Sequence, residues 1–239
     1  MRVVITQSML FPWVGMLEQM RMADVLVHYD DVQFSKGSFT NRVQVKTAQG
    51  CRWMTVPLQD LHLGQRICDV AFRDDDSWRA NHIGLLGQSF KGAPHAKDAM
   101  EIAADVYSGH YSNIGALARA SMLALGHYFG LLDGKRILDV RDLGIPGEGS
   151  GRVLDVVVAA GGTTYVTGHG ARNYLDHKAF EARGITVEYV RYGMLPYPQL
   201  FGPFTPYVTG LDLVAQCGKA GIEYIRPDCI GWREFLEQH

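Results

Sequence analysis

A chain of 239 residues with 23 basic and 25 acidic side chains has a net charge of −2, so no field draws it to DNA or to an anionic membrane. No apolar run reaches the roughly 18–20 residues of a spanning helix, and a start with one arginine and a short run broken at Gln7 is not a signal peptide. The expectation is a soluble, cytoplasmic, globular protein of one large or two small domains. Its four cysteines, Cys51, Cys68, Cys217 and Cys229, form no CxxC pair and are expected as buried thiols, not as a disulfide set or zinc site.

In chain order, residues 2–6 are an apolar run that stops at Gln7 and predict a buried strand. A helix over 13–22 is entered through Pro12, and 24–30 is a second buried strand, which completes a βαβ unit. Residues 42–46 and 52–58, around Thr47-Ala48-Gln49-Gly50, suggest a hairpin. Residues 67–72 read as another short strand. Asp74 to Ser77 supply a helix start with Ser77 as N-cap. Helices over 78–90, 95–106 and 113–131 follow, with apolar residues every three or four positions. Alternation then resumes with strand 136–140, helix 151–160, strand 164–167, helix 171–183 and strand 186–191. A loop rich in proline, tyrosine and glycine spans 194–206, and helices at 210–220 and 231–237 close the chain. No repeat or low-complexity segment interrupts this order. Five such strands predict a doubly wound, mostly parallel, Rossmann-like sheet in one α/β domain over 1–239, with 42–131 as an inserted hairpin and helical subdomain.

Open parallel sheets bind ligands at the carboxyl ends of their strands, and polar residues collect there. Gln7 offers an amide, Gly15 a close backbone approach, and Trp13 stands in the same turn. Ser8 is a nucleophile only beside a base that the sequence does not place. Asp30 and Asp31 end the second strand. Adjacent strand residues face opposite ways, so at most one enters a cleft unless the strand has already ended; there it would take a proton from an attacking amine or orient a sugar hydroxyl, and turn-forming aspartates are the alternative. Gln33 and Phe34 follow as a polar clamp and a stacking wall. Lys36, Asn41 and Arg42 come next, with Arg42 the first choice for an anionic group and a surface ion pair the alternative. In the loop from Thr167 to Tyr174, backbone N–H groups at Gly168 and Gly170 suit an anion, and His169 is the natural general base. Arg172, Asn173 and Tyr174 continue that site. Ser150 and Arg152 open the next helix as a second anion contact or a plain N-cap. Tyr197 and Gln199 close the cleft as an aromatic lid or pack as a C-terminal loop. The chain has no Walker motif and no GxGxxG, and its residues name no cofactor and no metal.

The phrases TQSMLFPWVGM, ADVLVHYDDVQFSKGSFTNRVQVKT and WMTVPL, the helix around 78–91, TYVTGHGARNYLD and YPQLFGPF occur in one order over residues 3–215. Together they resemble the WbqC-like family of bacterial proteins. That family usually opens His-Gln-Pro where this chain has Thr6-Gln7-Ser8, so no role of the histidine carries over. The family is associated with O-antigen and other sugar-decorating gene clusters. The resemblance implies an acyl- or aminoacyltransferase that forms an amide on an amine-bearing small molecule, such as an amino sugar, in polysaccharide or natural-product biosynthesis. A carrier-protein thioester or an aminoacyl-tRNA would be the donor and would need no ATP loop. One alternative is a non-catalytic ligand-binding or assembly protein of such a pathway. Another is an ATP-dependent adenylate-forming ligase on a nucleotidyltransferase-like sheet. The turn at 11–15 sits where those enzymes carry His-x-Gly-His, and 171–175 resembles a segment of pantothenate synthetase, although the two histidines are absent.

Overall fold

Short runs rich in β-branched residues and buried on both faces build the centre of the molecule, which a computed structural model describes over residues 1–73 and 75–238. The strands are β1 (Arg2–Thr6), β2 (Val25–His28), β3 (Arg42–Thr47), β4 (Gly50–Thr55), β5 (Arg136–Asp139), β6 (Thr164–Thr167), β7 (Thr186–Arg191) and β8 (Asp228–Gly231). Six of them form one sheet in the order β5-β2-β1-β6-β7-β8, in which only the edge strand β8 is antiparallel. The five parallel strands thus run 3-2-1-4-5 in chain order, the Rossmann arrangement, and the direction of winding reverses between β1 and β6. β3 and β4 pair separately as the expected hairpin.

Alternation along the strands divides the core. Val4, Leu26, Val166 and Val190 point to one face and Val3, Val25, Val27 and Val187 to the other. Helices α1 (Val14–Met22), α2 (Asp76–Ser89), α3 (Ala96–Ser108) and α4 (Ile114–Tyr128) pack on the first side. α5 (Gly149–Ala159) and α6 (His177–Ala182) cover the second; α7 (Gly210–Cys217) returns to the first and α8 (Trp232–Gln238) to the second. Val43, Met54, Leu86 and Val106 of the inserted segment lie in the same apolar cluster as Met16 and Leu17 of α1, so the insertion shares the core of the sheet. Among the described residues no helix is long and apolar enough to cross a membrane.

Several boundaries differ from the sequence expectation for local reasons. Residues 67–72 are not a strand: Ile67–Asp69 is a 3₁₀ turn. Its N–H groups at Ile67 and Cys68 go to the carbonyls of Val32 and Asp30, and the Val70 carbonyl accepts from Ile114, so no ladder is left to form. Asp75, not Ser77, caps α2, accepting the Ser77 N–H at 3.1 Å; Asp74 of that start lies outside the described residues. The helix expected over 171–183 is split into a 3₁₀ turn, His169–Asn173, and α6, because Asp176 caps a new start by accepting from the Ala179 N–H. The helix over 210–220 stops at Cys217, where Gly218 takes φ 55°. β8 has only four residues at an edge and gave no periodic signal.

The β1–α1 turn is stapled by α7. The Gly210 N–H donates to the Pro12 carbonyl at 2.7 Å and the Thr209 hydroxyl to the Phe11 carbonyl at 2.9 Å. A Cβ at Gly210 would lie 2.8 Å from that same Pro12 oxygen. Gly210→Ala gains about 0.5–1 kcal/mol of helix propensity but overpacks a fixed backbone contact at a cost of about 1–3 kcal/mol. The expected net loss is about 1–2 kcal/mol in urea unfolding. Gly170→Ala, with no atom within 4 Å of its Cβ, should stay within about 0.5 kcal/mol of the parent.

Candidate functional site

At the point where the winding reverses, the carboxyl ends of β1, β2 and β6 open a crevice of about 540 Å³. β1 contributes Ile5, Thr6 and Gln7; the end of β2 contributes Tyr29, Asp31, Val32 and Gln33; β6 contributes Tyr165; and Tyr174 stands beside it. The fourth wall is the start of α5, with Gly147, Glu148, Gly149, Arg152 and Val153. Gly147 and Gly149 take φ 97° and 62°, conformations that glycine adopts without strain, and they turn the chain into that helix.

The crevice is organised by one ion pair. Arg152 holds both oxygens of Asp31, at 3.0 and 2.5 Å, and donates its Nε to the Ile145 carbonyl at 3.0 Å. Its guanidinium lies 4.9 Å from the centre of the Tyr29 ring. The Asp31 carboxylate raises the Arg152 pKa further and keeps the cation charged, while burial pushes the Tyr29 and Tyr165 hydroxyls above their ordinary range. With both oxygens bound bidentately, Asp31 positions Arg152 and is poorly placed as a base. Glu148 is the open carboxylate of the crevice. It is exposed, it sits at the N-cap of α5 without capping it, and it has no ion-pair partner among the described residues. Sequence reasoning passed over Glu148; its glycine-flanked place in Gly147-Glu148-Gly149 was the available signal.

Asp30 faces the opposite way and does not enter the crevice; β2 has ended at His28, so the turn at 30–31 sets the two directions and strand alternation does not. It is buried and accepts both the backbone N–H of Ser8, at 2.8 Å, and its hydroxyl, at 2.6 Å. Desolvation raises its pKa. The Ser8 hydroxyl also lies 2.9 Å from Nδ1 of His28. Because the single Ser8 proton is given to Asp30, Nδ1 must be the donor in that contact. The other ring nitrogen of His28 is buried without a hydrogen-bond partner among the described residues, and burial lowers the pKa to about 3, so the ring is neutral. Ser8 is fully buried and serves as a link in this chain, which removes it as a nucleophile. Asp30 instead borders a second cavity of about 200 Å³ with Cys68, Asn113, Arg119 and Arg141.

The remaining sequence candidates lie outside the crevice. His169 donates Nε2 to the Val190 carbonyl at 2.8 Å and packs on Tyr192 and Phe235, which fits a structural role and not a general base. A Cβ on Gly168 would meet the Tyr192 hydroxyl at 2.8 Å, and Gly170, Arg172 and Asn173 are exposed beyond the crevice lining. Trp13 lays its indole over Gly15, where a Cβ would collide with it, so no ligand approaches that backbone. Phe34 is buried in the core instead of forming a stacking wall. Asn41 donates to the Val56 carbonyl at 3.0 Å. Arg42 donates to the Gly37 carbonyl and stacks 4.1 Å from the Trp53 ring, so it serves the hairpin; Lys36 is exposed and borders no cavity described here. Tyr197 and Gln199 form no lid. The Tyr197 hydroxyl donates to buried Asp212 at 2.9 Å, and Gln199 accepts from Lys46 at 2.9 Å and from the Thr205 N–H at 2.9 Å. The cysteines are free thiols, but Cys51 is exposed and the others are only half-buried, because each flanks a core position instead of filling one. Among the described residues no three His, Cys, Asp or Glu side chains gather as a metal site.

The chain is thus a Rossmann-like α/β protein with a polar, tyrosine-walled crevice at its switch point. The chain belongs to the WbqC-like protein family, whose model matches residues 7–224. It is similar to the uncharacterized protein Rv1507c of Mycobacterium tuberculosis (strain ATCC 25618 / H37Rv), 31% identical over 228 residues that cover 94% of this chain and 97% of that protein. No solved structure matches it.

The neutral, buried His28 sets a pH dependence. With the folded pKa depressed from 6.5 to about 3, the unfolded chain binds the extra proton between those values. This contribution to stability is therefore full above about pH 6.5 and is lost as pH falls through that window, by up to about 1.4 kcal/mol per pH unit. The raised pKa of Asp30 works in the opposite sense, so the comparison is made against His28→Asn, which keeps a donor to Ser8. Denaturant titrations from about pH 7 down to pH 4 should show the parent losing stability relative to that variant. Parallel curves would mean that the histidine is protonated in the fold.

Proposed function

We propose that the crevice binds an amine-bearing small molecule, such as an amino sugar, and that the protein transfers an acyl or aminoacyl group to its nitrogen. The observation that carries this reading is an open carboxylate, Glu148, at the uncapped start of α5, in the same 540 Å³ crevice as the locked Asp31–Arg152 pair. The amides of Gln7 and Gln33 and the polar rim of the Asp31–Arg152 pair suit hydroxyl groups, and Tyr29 and Tyr165 suit the apolar face of a ring. Glu148 takes the proton released as nitrogen attacks the acyl carbon. N–H groups of the first turn of α5 stabilise the oxyanion formed there. The new C–N bond replaces the C–S bond of a carrier-protein thioester or the ester C–O bond of an aminoacyl-tRNA, and the thiol or ribose hydroxyl leaves. Either donor goes with a cytoplasmic location.

A specific observation favours a second reading, a non-catalytic ligand-binding or assembly protein. Thr6, where the family usually has histidine, lines the crevice but donates its hydroxyl to the Gln7 carbonyl at 3.0 Å. An adenylate-forming ligase has less support, because Trp13 fills the turn at 11–15 that would hold phosphates.

The test is to incubate the protein with candidate amines and with thioester or aminoacyl-tRNA donors, and to read the acceptor mass. Acylated amine is expected, and Glu148→Gln should lower its rate by about 10²–10⁴-fold without changing the melting temperature, because the side chain is exposed. Acceptor binding without any acylated product would favour the second reading.

A further inference from the structure

On the α1 side of the sheet, α1 carries Glu18 beneath the segment that follows β7. Its side chain is 1% exposed, and neither carboxylate oxygen has a hydrogen-bond partner among the described residues. No cation pairs with it there. Arg226 turns its Nε to the Glu223 carbonyl at 2.8 Å, and Arg21, on the same helix, donates to the carbonyls of Ile222 and Ile225 at 3.0 and 2.6 Å. The Tyr192 hydroxyl accepts from Nε2 of Gln19 at 2.7 Å, and no hydrogen bond joins it to Glu18. A carboxylate removed from water without a partner is strongly disfavoured in its ionised form. Burial accordingly pushes the Glu18 pKa up to about 7; the backbone N–H of Arg226, near the carboxylate but outside hydrogen-bond geometry, pulls back only in part.

A cavity of about 10 Å³ opens on this carboxylate between Trp13, Gly15, Met194, Leu195 and Phe204. That is room for one group the size of a water molecule. The Trp13 ring continues to Tyr192 at 5.0 Å and to Tyr207 at 5.3 Å, and Tyr207 is 45% exposed, so the aromatic wall reaches the surface. Met194 holds φ 45°, a left-handed conformation that a non-glycine residue rarely adopts. Bare carboxylate oxygens beside aromatic faces, with no cationic side chain on the cavity wall, are complementary to a cation.

We propose that Glu18 and Trp13 form a subsite for one primary ammonium group, its size admitting an –NH₃⁺ head and excluding a trimethylated one. The cavity shares no lining residue with the crevice, so this inference stands apart from the proposed reaction.

The test uses the full chain with ¹³C-labelled glutamate carboxyls. The Glu18 resonance is titrated in methylammonium chloride and in tetramethylammonium chloride at equal ionic strength. Methylammonium should lower the midpoint from about 7 by about one unit or more, a tenfold change in proton affinity, and tetramethylammonium should not. Equal midpoints in the two salts would overturn the proposal. Glu18→Gln supplies the second arm. Above the Glu18 midpoint, methylammonium should raise the melting temperature of the parent over that in tetramethylammonium and leave the variant unmoved; an equal rise in the variant would also overturn it. Because the titration is made on the parent protein, it decides the matter even if the variant folds poorly.

Discussion

Two consecutive carboxylates in the turn after β2 hold the crevice edge of this protein together from both sides of the sheet. Asp31 reaches over one face to bind Arg152 of α5 bidentately, and Asp30 reaches over the other to accept both donors of Ser8 at the end of β1. The first contact ties β2 to α5. The second ties β2 to β1. Both residues lie in the turn that follows β2, and that turn sends their side chains to opposite sides of the sheet. The crevice therefore has a rigid floor in which the charged groups are already paired.

That pairing decides which residues are available for chemistry. Asp30, Ser8 and His28 form a buried line in which each proton has a destination, and the neutral ring of His28 keeps it free of a buried positive charge. A serine, a histidine and an aspartate in contact are not a catalytic triad when the serine sits between the other two. On the crevice side the same logic leaves Glu148 as the carboxylate not already committed, because it stands at a helix start that its side chain does not cap.

The glycines beside the site matter for what fills them. Gly15 is covered by the indole of Trp13, and Gly210 is pressed against the Pro12 carbonyl. Both are close contacts within the protein that a side chain would break, and neither is a cradle for a ligand. Trp13 fills the turn at 11–15, and in doing so it walls the small cavity at Glu18.

Much of the architecture was legible in the chain itself. The apolar runs at 2–6, 24–30, 136–140, 164–167 and 186–191 are short and rich in β-branched residues, fully buried in β2 and partly buried in the edge strand β5, and such runs have few other uses, so five parallel strands followed from pattern alone. The same pattern placed Gln7, Asp31, Gln33, Arg152 and Tyr174 near strand ends or helix starts, and these line the crevice. It failed where partners distant in sequence set the role. His169, Asn41, Tyr197 and Gln199 are polar residues in loops, as ligand-binding residues often are, but each spends its donor or acceptor on a backbone or side-chain group at least 15 residues away, and Arg42 at the start of β3 turns back to the Gly37 carbonyl. The short strand β8 and the 3₁₀ turn at Ile67–Asp69 were missed because their backbone hydrogen bonds are supplied by other segments and leave no local period. Sequence alone determined the fold class and pointed to the carboxyl edge of the sheet, because these follow from local periodicity. Only the tertiary structure decided which polar groups stay uncommitted at that edge, because satisfaction of a hydrogen bond depends on what the fold brings next to it.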